Sequence, residues 1–465
     1  MFIGRNYEIA QLNELYAEGR FHCIIMYGRR RIGKTRLLSE FCQDKKSIFY
    51  VAEEHSDTLA LAKFSEMLIG GFNLPSYIKA FETWEQAFLL LAEQAKQEKI
   101  VLVLDEFPYL VNSNPRLLSV LQNIIDRLWQ NTNLFVVLCG SSISFMENEV
   151  LSHKSPLFGR RTAQFKLSPM DFYEVRQFVP EWEMHDQVAL YSILGGIPQY
   201  LLQFDATWPL EKNILRRLLD KSSYLFGEAN WLLGQEFRSP AMYKSIIEAI
   251  AGGASRLNEI ATKLNESTSK TSVYLRALLE LELVRKVNPV GEKESSKKTI
   301  YRLNDPLLLF YYRFVSPNLT LLEREMGEYA YHQRIKNLLP AFYGLRFEEV
   351  CQTYLIRMNQ KGMLPFVFDE IGAWWGNNPL KKRQEEIDIV AIGQGSVLCA
   401  ECKYRNELVE TSVLFRLIER SSCLPGESRY YAVFSKSGFT EHAAAFAKSH
   451  GRMILIDLPA LSHCE

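Results

Sequence analysis

The chain has 465 residues, 47% of them hydrophobic, with 54 Lys+Arg against 54 Asp+Glu. That length exceeds one ordinary core, so two or three domains are expected, and the charge balance excludes a globally basic nucleic-acid coat while leaving room for local basic surfaces. No apolar window approaches the roughly 20 residues of a membrane span, and the opening MFIGRNYEIAQL carries charge where a signal peptide needs its apolar run, so a cytoplasmic protein with no membrane partner is expected.

In chain order, HCIIMY (22–27) reads as a short buried strand, GRRRIG (28–33) as a glycine-rich turn, and KTRLLSEFC (34–42) as a helix with Leu37, Leu38 and Phe41 at helical spacing. The stretch fits G-x-x-x-x-G-K-[ST] at Gly28, Gly33, Lys34 and Thr35. Such a strand–turn–helix aims backbone N–H groups and the positive end of a helix dipole at phosphate oxygens. Nucleotide contacts are therefore expected from Gly28, Arg29, Arg30, Arg31, Ile32, Gly33, Lys34, Thr35 and Arg36. Lys34 would reach the β- and γ-phosphates, and the Thr35 hydroxyl would ligate Mg²⁺.

KIVLVLDEFPYL (99–110) is a continuous apolar run ending in Asp105 and Glu106, the pattern of a central parallel strand buried on both faces. Asp105, at the strand's C-terminal edge, is expected to hold Mg²⁺ through water, and Glu106 to orient or deprotonate the attacking water. A third apolar strand, NLFVVLCGSS (133–142), ends in Ser141 and Ser142; either hydroxyl senses the γ-phosphate or caps the helix that follows. Helical patterns at 56–70, 82–98 and 115–131 separate the strands. The expected fold is a doubly wound parallel α/β sheet with its ligand, a nucleoside triphosphate, at the strand C-termini.

FIGRNYEIAQL, YGRRRIGKTRLL, LDEFPYL, LCGSS, SPLFGRR and LGGIPQYL, in that order over about residues 1–235, together resemble the prokaryotic AAA-related P-loop ATPases common in archaea and some bacteria, near the STAND and origin-recognition branches. The resemblance implies ATP as the nucleotide, with an adenine contact at Gly4 and Arg5. It also puts Arg160 and Arg161 where such ATPases often direct an arginine at the γ-phosphate, in cis or from a neighbouring subunit of a homo-oligomer. An ordinary surface salt bridge is the competing reading. In LGGIPQYL (194–201) the glycines and Pro198 imply a helix break beside the nucleotide, although a plain helix–helix turn has the same pattern.

Residues 236–315 read as a winged helix-turn-helix. Ile246, Ile247 and Ile250, then Leu257, Ile260 and Leu264, then Val273, Leu275, Leu278 and Leu279 supply three buried helix faces, and two strands flank the Lys-rich tip GEKESSKK. STSKTSVYLRAL would be the recognition helix, offering Ser267, Ser269, Lys270, Thr271 and Arg276 to groove and phosphates. A lid or protein-contact module has the same core pattern. The mixture of Lys293, Lys297 and Lys298 with Glu292 and Glu294 points to modest, sequence-nonspecific DNA affinity.

Residues 316–465 start a third pattern. A helix bearing Glu348 and Glu349 precedes two strands, EIDIVAI (386–392) and VLCAECKY (397–404), joined by a GQGS turn. Glu401 and Lys403, two apart, emerge on one face of the second strand. Asp388 is the lone carboxylate inside an apolar stretch, and hairpin pairing brings it beside Glu401. Cys399 and Cys402 form a C-x-x-C, but strand alternation sends the thiols to opposite faces, so no zinc or redox site is expected. The set resembles the PD-(D/E)xK nuclease superfamily and the C-terminal domain often fused to these ATPases. That resemblance makes Asp388 and Glu401 the Mg²⁺ ligands, Lys403 the residue that activates water or stabilises charge, and Glu349 the additional acidic residue some members carry. Ile387 stands where the motif has proline. Upstream, Trp374, Trp375, Lys381, Lys382 and Arg383 form a strip suited to stacking and phosphate contact, or a loop whose tryptophans pack on the sheet.

The expected function is thus an ATP-hydrolysing, DNA-associated protein with a Mg²⁺-dependent nuclease-like domain. The alternative is a nucleotide-controlled switch whose C-terminal domain only binds.

Overall fold

The apolar run HCIIMY forms β1 (His22–Tyr27), buried at every position, as expected of a strand covered on both faces. In this computed structural model, which describes residues 2–75, 77–293, 298–378 and 382–462, β1 belongs to a five-stranded sheet with β2 (Ser47–Val51), β3 (Ile100–Asp105), β4 (Leu134–Gly140) and β5 (Ala163–Lys166). The order is β2-β3-β4-β1-β5, and every neighbouring pair is parallel. All C-terminal strand ends therefore share one edge of the sheet. The glycine-rich turn after β1 and the carboxylates after β3 flank the end of β4, which lies between them.

Helices Asp57–Gly71, Trp84–Gln97 and Leu117–Arg127 cross between strands. An aromatic stack closes the core beside the sheet: fully buried Trp129 meets Phe88 edge-on at 5.2 Å and donates its indole N–H to the Phe88 carbonyl. β2 and β5 are absent from the sequence reading. Both are short edge strands with alternating burial; β5 (AQFK) has no continuous apolar run, whereas β2 lies in the apolar run 48–52, which that reading overlooks.

The chain divides into two compact units, residues 1–170 with 197–199, and residues 171–196 with 200–465. The helices of 171–196 and 200–235, grouped above with the ATPase part, cluster with the C-terminal part.

In the second unit, helices Ala241–Ala251, Leu257–Leu264 and Thr268–Glu280 are followed by an antiparallel pair, β6 (Val284–Val287) and β7 (Ile300–Leu303). Two side chains depart from expectation. Thr271, Leu275 and Leu278 form the buried stripe of the third helix, so Thr271 is turned inward and donates to the Ser267 carbonyl. Val273 lies off that stripe and is 66% exposed. Lys298 pairs with Glu292, while Glu294 and Lys297 lie outside the described residues.

The long helix Leu339–Gln360 packs against a mixed sheet of β8 (Glu370–Asn378), β9 (Arg383–Gly393), β10 (Ser396–Lys403), β11 (Ser428–Ser435) and β12 (Met453–Asp457). The order is β12-β11-β10-β9-β8. β8–β9 and β9–β10 are antiparallel, whereas β10–β11 and β11–β12 are parallel. Leu398 and Ala400 face one core and Val397 and Cys399 the other, so the sheet is covered on both sides. Cys399 is in the second core and Cys402 packs against the first. The tryptophans of the upstream strip belong to β8: Trp374 packs on the core and Trp375 donates its indole N–H to the Lys298 carbonyl. Lys381 lies outside the described residues. Among the described residues no helix is long and apolar enough to cross a membrane.

Candidate nucleotide site and a second carboxylate site

The loop after β1 is shaped by left-handed backbone, which favours glycine. Gly28 has φ +153°, and a Cβ there would lie 2.5 Å from the Leu167 carbonyl oxygen, so the turn can approach β5 only with glycine. Arg31 and Gly33 are also left-handed, at φ 68° and 92°. The helix Lys34–Cys42 starts directly after the loop.

Lys34 is buried, and its Nζ donates to the carbonyls of Gly28 and Arg29 at 2.9 Å each. Burial pushes its pKa down, although the nearby Cys139, Glu106 and Asp105 oppose that shift. An anionic phosphate on the loop would oppose that downward shift and favour the charged ammonium. Thr35, from the same helix, donates its hydroxyl to Asp105 Oδ2 at 2.5 Å, and Asp105 is buried at the end of β3. The other oxygen, Oδ1, accepts the Glu106 backbone N–H at 2.9 Å. Hydroxyl and carboxylate thus stand side by side, the donor pair that a Mg²⁺–nucleotide complex uses.

Glu106 has φ 51°, an uncommon conformation for a residue with a side chain, and its Oε2 accepts from the Ser141 hydroxyl at 2.8 Å. Ser141 therefore holds the glutamate in place. Ser142 occupies the N-cap position of the short helix that follows, without a side-chain cap bond.

Arg5, left-handed at φ 59° and following Gly4 at φ 68°, is buried. It donates to the carbonyls of Ile32 in the loop and Ser168 beyond β5, and pairs with Glu8. The N-terminal segment is thereby tied to the phosphate-side loop. Pro198 lies beside the loop too, with Cγ 3.6 Å from where a Gly33 Cβ would stand. Arg160 grips Asp126 with Nε at 2.8 Å and Nη2 at 2.6 Å, and donates to the Pro156 and Phe158 carbonyls. Arg161 is exposed and donates to the Leu151 carbonyl at 3.5 Å.

In the second unit the β9–β10 ladder runs to the pair Ala400↔Ile389, and Asp388 and Glu401 are the next residues along it. Asp388 Oδ2 accepts the Cys402 backbone N–H at 2.7 Å. Burial first, and then Glu401, raise the Asp388 carboxyl above the ordinary carboxylate range. A cation between the two would relieve that repulsion. Glu401 is buried and receives Lys403 Nζ at 2.5 Å and Arg420 Nη1 at 3.4 Å.

Glu349, the expected additional acid, is committed elsewhere. Arg346 reaches both its oxygens at 2.8 Å and Arg285 pairs with it as well. Burial alone would raise its pKa, but these two guanidinium groups outweigh burial and hold it low. Its neighbour Glu348 is the one that senses the sheet carboxylates, pushed up to about 8 by burial and by Asp388. The phase of the helix, fixed by its contact with the sheet, accounts for this. Cys351, one turn after Glu348, adjoins Cys402 of β10, so position 348 shares the face turned to the strand and 349 does not.

A parallel sheet with a glycine-rich loop after its first strand, a buried lysine and then a threonine beginning the next helix, and an aspartate at the end of β3 defines a P-loop ATPase. Residues 2–204 match the family described as an ATPase domain predominantly from Archaea. Residues 311–414 match a family of archaeal and bacterial proteins of unknown function. The uncharacterized protein MJECL04 of Methanocaldococcus jannaschii is 34% identical over 471 residues, covering 99% of this chain and 100% of that protein. The chain belongs to the same archaeal-type ATPase family as that relative, and in this chain the match to the ATPase domain is followed by the match to the second domain. The fold of the Walker-type ATPase PABY2304 of Pyrococcus abyssi is similar, with a TM-score of 0.52 at 19% identity over 67% of this chain and 96% of that one. The ORC2 protein of Aeropyrum pernix, solved in ADPNP–ADP complexes, gives a TM-score of 0.44 at 16% identity over 70% and 95%.

Proposed function

We propose that this ATPase is a DNA-associated protein in which nucleotide state governs a Mg²⁺-dependent nuclease-like domain. On this reading residues 1–235 bind and hydrolyse ATP, residues 236–315 act as a winged helix, and residues 316–465 act on a phosphodiester. Lys34 positions the β/γ-phosphates, Thr35 and Asp105 hold the metal, and Glu106, oriented by Ser141, takes the proton from the attacking water. Bound Mg²⁺ supplies charge neutralisation between the phosphates. Arg160 would have to leave Asp126 to face a γ-phosphate, so exposed Arg161 is the better candidate for an arginine supplied to a neighbouring copy.

The observation that carries the nuclease half is the adjacency of Asp388 and Glu401 with Lys403 on the same strand face. Asp388 and Glu401 would hold the metal and Lys403 would stabilise the developing charge. A second reading has its own support: Lys403 and Arg420 both engage Glu401, which suits a domain that binds and does not cut. The test is incubation of the wild type with plasmid, single-stranded DNA and RNA, with and without ATP and Mn²⁺. Metal-dependent cutting that disappears in Asp388→Ala, Glu401→Ala and Lys403→Ala is expected. No cutting on any substrate, with no divalent ion bound, would favour the binding-only domain.

A further inference from the structure

Within the second unit, a cavity of about 660 Å³ opens between the hairpin module and the long helix. Its walls come from the end of helix Ala241–Ala251, from β6 and β7, from the helical segment after Pro306, and from Leu345–Glu349. Four arginines line it: Arg285, Arg302, Arg313 and Arg346. Two of them are used, because Arg285 and Arg346 neutralise Glu349. The side chains of Arg302 and Arg313 have no ion pair or hydrogen bond among the described residues. The acids facing them are Glu248 and Glu348.

A third polar group is unsatisfied. Tyr312 lines the cavity, is 8% exposed, and its hydroxyl has no hydrogen-bond partner. A buried hydroxyl left so costs about 1–3 kcal/mol, and folded proteins keep few such groups unless a ligand or solvent meets them. The remaining wall is apolar and aromatic, through Ile250, Leu309, Leu345, Pro317 and Tyr301. Guanidinium forks match phosphate oxygens, and the volume lies inside the range of small-molecule sites, roughly 300–1,000 Å³. One phosphate would fill only part of it.

We propose that this cavity is a ligand site separate from the phosphate loop, built for a nucleoside monophosphate whose phosphate rests against Arg302 and Arg313 with the Tyr312 hydroxyl nearby. The base and sugar lie along the apolar wall and Tyr301. A polynucleotide is the less suitable occupant, because it needs a track of repeated phosphate contacts, and only two of the arginines lining this cavity are without an ion pair among the described residues.

Full-length Lys34→Ala protein, in which the phosphate loop is disabled, is titrated calorimetrically with AMP and GMP, and with the unphosphorylated nucleosides as controls. At least one monophosphate is expected to bind, about tenfold or more tighter than its nucleoside. Adding Arg302→Gln, or Arg313→Gln at an exposed position, should weaken it about tenfold. Tyr312→Phe, which keeps the buried ring, should weaken it several-fold. The idea is overturned if neither monophosphate binds, or if binding is indifferent to all three substitutions. It is also overturned if Arg302→Gln instead weakens a single-stranded oligonucleotide while the monophosphates stay unbound, which would make the cavity part of a polynucleotide path.

Discussion

At the scale of single residues, Glu106 joins three features: a left-handed backbone at φ 51°, a hydrogen bond from Ser141, and a position one residue after the Thr35–Asp105 pair. A left-handed non-glycine residue costs of order 1–3 kcal/mol and persists where surrounding structure dictates it. The carboxylate is thereby held by Ser141, after β4, and near enough to Lys34 to act on its charge. Glu106→Gln keeps shape and hydrogen bonding but cannot take a proton, so nucleotide affinity should change little while single-turnover hydrolysis falls about 100-fold or more. Rapid-quench measurement beside nucleotide titration checks both halves. Glu348 gives a prediction of a different kind. Its folded pKa, about 8, lies above the ordinary value of 4.5, so the native state keeps a proton that the unfolded chain has released. Stability therefore falls as pH rises from about 4.5 to about 8. Glu348→Gln should match the wild type near pH 5 and exceed it near pH 9, in denaturant midpoints taken without divalent ions. A difference that shrinks with rising pH would show that the carboxyl is not held protonated.

At the scale of elements, legibility followed hydrophobic continuity. β1, β3 and β4 are buried at every position, and an uninterrupted apolar run declares such strands. β5 reads AQFK and β8 reads EIGAWWGNN with half-buried positions; their pairing partners, not their own sequence, make these two strands. Glu348 and Glu349 show the same limit. Adjacent helical residues differ by about 100°, and which carboxylate meets the sheet depends on the contact between Cys351 and Cys402, which no local pattern reveals. Thr271 and Val273 were exchanged in burial for a similar reason: the stripe Thr271–Leu275–Leu278 admits a threonine because its hydroxyl bonds to the Ser267 carbonyl. The helix Thr268–Glu280 keeps Lys270 and Arg276 exposed. If it meets DNA, Lys270→Ala and Arg276→Ala should weaken binding evenly across sequences and each reduce the salt slope by about 1. Filter-binding or anisotropy titrations over a range of salt measure this. An unchanged slope would assign the helix to lid or protein contact.

At the scale of the whole molecule, the chain passes between its two compact units three times, and the short return, residues 197–199, clusters with the ATPase unit. Pro198 in that return stands beside Gly33 of the phosphate loop, and the backbone continues from it into the second unit in both directions. A nucleotide-dependent unit of this kind shifts the population of its neighbours only if it binds nucleotide differently in their two states. The measurement that tests this most directly is plasmid cleavage in Mn²⁺ by Glu106→Gln, with and without ATP, beside the wild type and Asp388→Ala. Cleavage by Glu106→Gln should differ by about threefold or more between the ATP-held and ATP-free protein. Asp388→Ala should not cut at all while hydrolysing ATP within about twofold of the wild type. Cutting that survives Asp388→Ala, or that is indifferent to ATP in Glu106→Gln, would contradict a nuclease-like domain under nucleotide control.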